Sequence, residues 1–275
     1  MAQAHELISK MHEAVSHETA HAELPNLISL LHNAFPHAGW THFLGQWENI
    51  FFSLVAICLI SMTAVRAARK KSMIPSGVQN FCEVLVEGIA NFVTGILGER
   101  GMKHVPFLGT LFIYILLMNW SGLVPLMKSS TASWSTTVAL ALAVTAYVQF
   151  TGIKEQGPVH YLKHMAGNPA NLFGLVLVPL MLVINLTIEF MAVPLSLSLR
   201  LFANVSSEDK LLFKFAELNI LFKGLPFLLQ LFANVLAIAF SVVQAFVFML
   251  LSTVYISLIL PHEEHGHDET VLHAH

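Results

Sequence analysis

Apolar residues run nearly unbroken from Ile50 to Val65, from about Val105 to Met127 and from about Thr136 to Ile153, and each run predicts a helix crossing lipid. Between the first two, Phe81, Val84, Leu85, Ile89, Phe92, Val93, Ile96 and Leu97 recur at helical spacing behind Pro75, which predicts an amphipathic helix within residues 74–100. The final third reads differently. From Asn171 to Phe222 the pattern is helical but mixed, interrupted by Pro179 and Pro194, and a second long run follows Gly224 and Pro226 as far as Leu260. At 1.5 Å per residue these stretches would be roughly 75 and 50 Å long, against a hydrocarbon core of about 30 Å. Two long helices, antiparallel and strongly tilted, resolve that mismatch.

Composition agrees with a membrane chain. Hydrophobic residues make up 55% and charged residues 11% of 275, too few charges to cover a soluble surface of this size. A soluble enzyme, a nucleic-acid binder and a disordered scaffold are thereby excluded. Six of the 14 Lys and Arg residues (Arg66, Arg69, Lys70, Lys71, Arg100 and Lys103) lie between the first and second runs, which places that loop in the cytoplasm and the N-terminus outside. The chain divides into a polar, His-rich extracytoplasmic tail (1–47), three spans with the cytoplasmic amphipathic helix (48–171), a tilted helical hairpin (172–260) and a His-rich cytoplasmic tail (261–275). No cleavable leader is read in residues 1–47, and Cys58 and Cys82 do not suggest a disulfide. The run His262-Glu263-Glu264-His265-Gly266-His267 lacks zinc-hydrolase spacing and reads as a solvated tail.

Candidate chemistry concentrates in the hairpin. An ionisable residue within a span is costly enough to be a functional hypothesis by default, and Arg200 sits between Leu199 and Leu201-Phe202. At about 100° per residue, Glu189, Ser196, Asn204 and Ser207 fall within roughly 40° of Arg200, Glu208 about 80° away and Asp209 on the opposite side. On the last helix Gln230, Ser241, Gln244 and Tyr255 fall within about 60° of one another, with Asn234 and Ser252 at the edge. Any one of these polar residues fits structural hydrogen bonding; two such stripes together favour an ion path.

Pro194-Leu195-Ser196-Leu197-Ser198-Leu199-Arg200-Leu201-Phe202-Ala203-Asn204 closely resembles a signature of subunit a of F-type ATP synthases. Gln244-Ala245-Phe246-Val247-Phe248 with Tyr255-Ile256 is similar to its second signature. Asn119-Trp120-Ser121-Gly122-Leu123-Val124-Pro125 and Ile74-Pro75-Ser76-Gly77-Val78-Gln79-Asn80 resemble bacterial and plastid members. The likeness spans roughly residues 73–260, in order, and leaves out the His-rich ends. It departs from the family at Val193, often basic, at Ala203, usually glycine, and at Ala237, polar in some members, and it adds Glu208 beside Asp209.

The resemblance implies an all-α polytopic stator subunit of the bacterial inner membrane, with about five membrane-embedded helices and the amphipathic helix. Its hairpin would lie against a ring of c subunits, with the b-subunit peripheral stalk and other synthase subunits as further partners. It implies no cofactor and no catalysis by this chain alone. Arg200 matches the family's arginine, Asn204 and Gln244 its polar neighbours, Asp209 the acidic position after the arginine and Glu189 an acid before it. The proton path would then hold Glu189, Ser196, Asn204, Ser207, Glu208, Asp209, Gln230, Ser241, Gln244 and Tyr255. A self-contained secondary transporter would require an internal repeat that the chain lacks. An assembly factor would leave Arg200 unexplained, and a sodium-moving version of the same subunit remains an alternative.

Overall fold

A computed structural model describes residues 27–34, 39–69, 77–124, 126–167, 172–221 and 227–260, and those residues are helical apart from their connections. The helices are α1 (Leu27–Ala34), α2 (Gly39–Gln46), α3 (Glu48–Arg69), α4 (Val78–Leu97), α5 (Val105–Ser121), α6 (Trp134–Gln156), α7 (Pro158–Met165), α8 (Leu172–Thr187), α9 (Val193–Leu221) and α10 (Phe227–Ile259). A 3-10 turn, Glu99–His104, leads into α5, and a π turn, Ile188–Ala192, joins α8 to α9. Six stretches are long and apolar enough to cross a membrane: Glu48–Ala68, Val78–Leu97, Glu99–Ser121, Trp134–Gln156, Leu177–Phe215 and Leu228–Ile259. This is an all-α, multi-pass integral membrane protein. The His-rich segments 1–26 and 261–275, with the His262–His267 run, lie outside the described residues, as does the hairpin tip at Gly224 and Pro226.

The core lies where α4, α5, α6, α9 and α10 meet, and Leu108, Ile115, Val144, Leu201, Phe248 and Ile256 are almost fully enclosed there. Lipid supplies no hydrophobic drive between helices, so close packing and internal hydrogen bonds must hold them. Small residues make the close approaches: Ala141 and Ala245 are fully buried, and Gly152 of α6 faces Ile259 of α10 and the Tyr161 ring of α7. Buried hydroxyls turn back onto their own helices. Thr145 donates to the carbonyl of Ala141, Ser252 to that of Phe248 and Thr253 to that of Met249. By contrast α3 sits outside the bundle, its Phe52 and Ala56 against Met118 and its Ser53 hydroxyl 2.6 Å from that of Tyr114, with Leu54, Ile57 and Met62 exposed.

Three features depart from the sequence pattern. The second span is displaced toward the N-terminus, running Glu99–Ser121 in place of Val105–Met127. Gly122 and Pro125 oppose continuation of α5, and the chain folds back through Leu126 (φ 71°). Residues 27–46, grouped with the polar tail, contribute α1 and α2, and Ile28 packs with Phe52 and Met118. Finally, α4 does not present its whole apolar face to a membrane surface. Ile89 and Val93 enter the core and the Phe92 ring lies 4.9 Å from that of Phe246 on α10, while Phe81 and Val84 stay exposed.

The π turn follows from Pro194, the second residue of α9. Proline has no amide hydrogen, and its ring crowds the carbonyl four residues earlier, that of Phe190. Widening one turn relieves both problems without breaking the helix.

A methyl group at Gly152 would overlap Ile259 and press to 2.9 Å from the Tyr161 ring. Gly152→Ala is therefore expected to cost about 1–3 kcal/mol, read as a lower midpoint in detergent or thermal unfolding. Gly109→Ala, whose nearest neighbour is Ile89 at 3.6 Å, should leave the midpoint nearly unchanged.

Candidate functional site

Helix α9 is continuous from Val193 to Leu221, and its turns deal polar residues to three different surroundings. Ser196, Arg200, Asn204 and Ser207 are exposed on one face beside Leu195, Leu199 and Leu211. Arg200 makes no ion pair or side-chain hydrogen bond among the described residues. Glu208 turns toward α10, where the Ser241 hydroxyl lies 3.5 Å from its Oε1. Asn204 reaches the same helix, its Nδ2 donating to Gln244 Oε1 at 2.6 Å. Asp209 points away from the Arg200 face and lies against the end of α5, its Oδ1 3.2 Å from where a Gly122 side chain would begin. Three residues before Asp209, Ser206 donates to the carbonyl of Ala132 at 3.2 Å and so ties α9 to the loop after α5.

Two cavities flank Arg200 along the helix. The larger, 440 Å³, lies between α9 and α10 and is lined by Asn119, Asn204, Ser207, Glu208 and Gln244 against apolar walls such as Leu212 and Ala237. The smaller, 140 Å³, lies among α6, the π turn and the end of α10, with Thr145, Gln149, Glu189 and Tyr255 in its lining. At 1.5 Å per residue, Glu189 and Glu208 stand roughly 16 and 12 Å from Arg200 along the axis, in opposite directions.

Glu189 does not share the Arg200 face. The angular count assumed an uninterrupted α-helix, and the π turn that contains Glu189 changes the phase. Its carboxylate is turned to α6 and α7, accepting from Gln149 Nε2 at 2.8 Å and from the Tyr161 hydroxyl at 3.1 Å. Tyr161 also bonds Gln149 Oε1. Burial, and then the charge and hydrogen bond of Glu189, push the Tyr161 phenol well above the usual tyrosine range, so it keeps its proton and serves as a donor.

Of the remaining sequence candidates, Ser241 and Gln244 are buried facing α9, Tyr255 is half-buried in the smaller cavity, and Gln230 is half-buried in the first turns of α10, away from both cavities. Sequence reasoning missed Asn119, Gln149 and Tyr161. The first two are lone amides in apolar runs, a signal of the same kind as Asn204. Tyr161 carries none, because only tertiary packing brings α7 to Glu189.

The family model for the ATP synthase A chain matches residues 50–257, which contain Arg200, the lining of the larger cavity and all of the smaller one's but Leu258 and Ile259. The chain belongs to that family. It is 43% identical over 264 residues to ATP synthase subunit a of Protochlamydia amoebophila, covering 94% of this chain and 95% of the relative. Subunit a of Solidesulfovibrio magneticus is 40% identical over 215 residues, covering 78% and 85%. That of Geobacter sulfurreducens is 38% identical over 203 residues, covering 74% and 82%. The protein is thus a component of the multi-subunit ATP synthase. The matched relatives give the stator role direct support and the self-contained transporter none.

Gly122→Val would drive a side chain into Asp209 and Ser129. It is expected to slow ATP-linked proton movement several-fold in membranes where the complex assembles; an unchanged rate would show that Asp209 does not need its place against α5.

Proposed function

We propose that this chain is the proton-conducting stator of a bacterial inner-membrane ATP synthase, and that Arg200 faces the carboxylates of a rotating c ring. The observation that supports this reading best is the pair of acid-lined cavities on either side of an exposed arginine with no ion pair among the described residues. The basic loop after α3 sets the orientation. Alternation then places α7 inside the cell and the α5–α6 connection outside. The Glu189 cavity, closed by Tyr161 of α7, is the cytoplasmic half-path. The Glu208 and Asp209 region, against Gly122, Ser129 and Ala132, is the outer one.

Electrostatics supplies the mechanism. A ring carboxylate facing lipid must be protonated, because an unpaired charge there is costly. Beside Arg200 the fixed cation favours the ionised form, so the carboxyl releases its proton toward one half-path. A neighbouring carboxylate takes a proton from the other half-path before it re-enters lipid. A guanidinium does not give up its proton, so Arg200 also blocks direct passage between the two cavities. Each charge crossing 100 mV delivers about 2.3 kcal/mol, so several protons must pass for each ATP made. Glu208 and Asp209 load the outer path and Glu189 the inner one, with Asn204, Gln244, Ser207, Ser241 and Tyr255 lining them. Ser196 lies on the sliding face, and the b-subunit stalk holds the stator still. Chemistry on ATP belongs to other subunits.

Arg200→Ala is expected to abolish ATP-driven acidification of inverted membrane vesicles while the chain remains inserted; normal acidification would sink the proposal. Glu208→Gln combined with Asp209→Asn should slow pumping, and a wild-type rate would remove the outer-path assignment. Cysteines at positions 196, 204 and 207, in a chain lacking Cys58 and Cys82, should cross-link on oxidation to a small ring proteolipid. Absence of any adduct in membranes rich in the assembled complex would argue against a rotor on this face.

A further inference from the structure

Two side-chain amides in the larger cavity have a nitrogen with no partner among the described residues: Asn119 Nδ2 and Gln244 Nε2. Their residues are only 5% and 6% exposed. In each case the oxygen is already engaged. Thr131 Oγ1 donates to Asn119 Oδ1 at 2.7 Å, and Asn204 Nδ2 donates to Gln244 Oε1 at 2.6 Å. With both oxygens engaged, the two NH₂ groups are left for the cavity. The hold on Asn119 is itself built. Thr131 is fully buried, its hydrogen is committed to Asn119, and it therefore accepts from the Ser129 hydroxyl 2.7 Å away, itself 1% exposed. A buried NH₂ without an acceptor is costly, so native structures satisfy such groups with protein or ordered water. A 440 Å³ cavity has room for several waters.

We propose that Asn119 is a positioning residue of the outer proton path: with Gln244 it holds water against the Glu208 carboxylate, and the buried Ser129–Thr131 pair holds Asn119 in the orientation that does so. This rests on reading the cavity as the outer half-path. The amide does not carry the proton. It donates to a water oxygen, which leaves that water's hydrogens directed at Glu208. A hydronium proton arriving from outside passes along the water: one O–H bond of the hydronium breaks, one forms on the Glu208 carboxylate, and neutral water remains. Glu208 then passes the proton on toward the ring.

The test uses whole ATP synthase in proteoliposomes, with ATP synthesis followed while pH is varied separately on the outer and inner faces. Asn119→Leu should lower the rate about tenfold, the effect of one buried hydrogen bond, and displace the outer-face pH profile while leaving the inner-face profile in place. Asn119→Asp should conduct, with an outer-face profile that follows the new carboxyl group. Thr131→Val, which keeps every amide and charge, should give a smaller loss with the same one-sided displacement, and it carries the test if Asn119→Leu does not assemble. A wild-type rate with an unchanged outer profile would overturn the proposal, as would a loss without any shift of the outer profile, the mark of a purely structural role. Normal pumping by the Glu208→Gln, Asp209→Asn double variant would instead remove the outer-path reading beneath it.

Discussion

A guanidinium with no counter-charge among the described residues stands at the centre of the architecture. Arg200 sits on an exposed helix face between leucines, where hydrocarbon would make its charge expensive. The chain could have neutralised it with an acid from its own spans, yet the nearby carboxylates are turned elsewhere, Glu208 toward α10, Asp209 toward the end of α5 and Glu189 toward α6. On the proposed reading its compensating charge comes from the rotor, and the fold delivers that charge in its protonated form from one side and receives the proton on the other.

The packing serves that separation. Helix α9 is wedged between α6, whose Gln149 holds Glu189, and α10, which encloses the larger cavity. A close contact at Gly122 sets α9 against the end of α5, and Gly152 brings α6 against α10 and α7. The linings of the two cavities share no residue, and Arg200 stands between them along α9. Coupling of flow to movement in such a device comes from where polar groups are withheld as much as from where they stand.

Much of this was legible in the sequence, because a bilayer imposes simple rules. Span lengths and the cost of an arginine in lipid pointed to the helices and to Arg200. The projection placing Glu208 to the side and Asp209 behind succeeded because α9 runs unbroken through all three residues. The same arithmetic failed for Glu189, since nothing in hydropathy shows that Pro194 widens the preceding turn. The stop of α5 at Ser121 was hidden because the residues beyond it are still apolar. Helices α1 and α2 were hidden because their anchors, Ile28 and Leu44 against Phe52, Ala56 and Met118 and the Leu27 amide on the carbonyl of Leu126, are tertiary contacts. Asn119, Gln149 and Tyr161 gain their meaning only from partners far away in sequence, which no local pattern records.

The π turn bears on how the stator keeps its sliding surface clean. In an unbroken α-helix Glu189 would fall within about 20° of Arg200 and join the track along which rotor carboxylates move. On the proposed reading, a stationary anion there would weaken the cationic field that lets each rotor carboxylate ionise. One surplus residue in the turn acts as a phase shifter, letting Glu189 answer to α6 and α7 while the exposed face of α9 is left to Arg200. Losing a single residue from Ile188–Ala192 would therefore harm the motor by blunting its arginine rather than through loss of any chemical group.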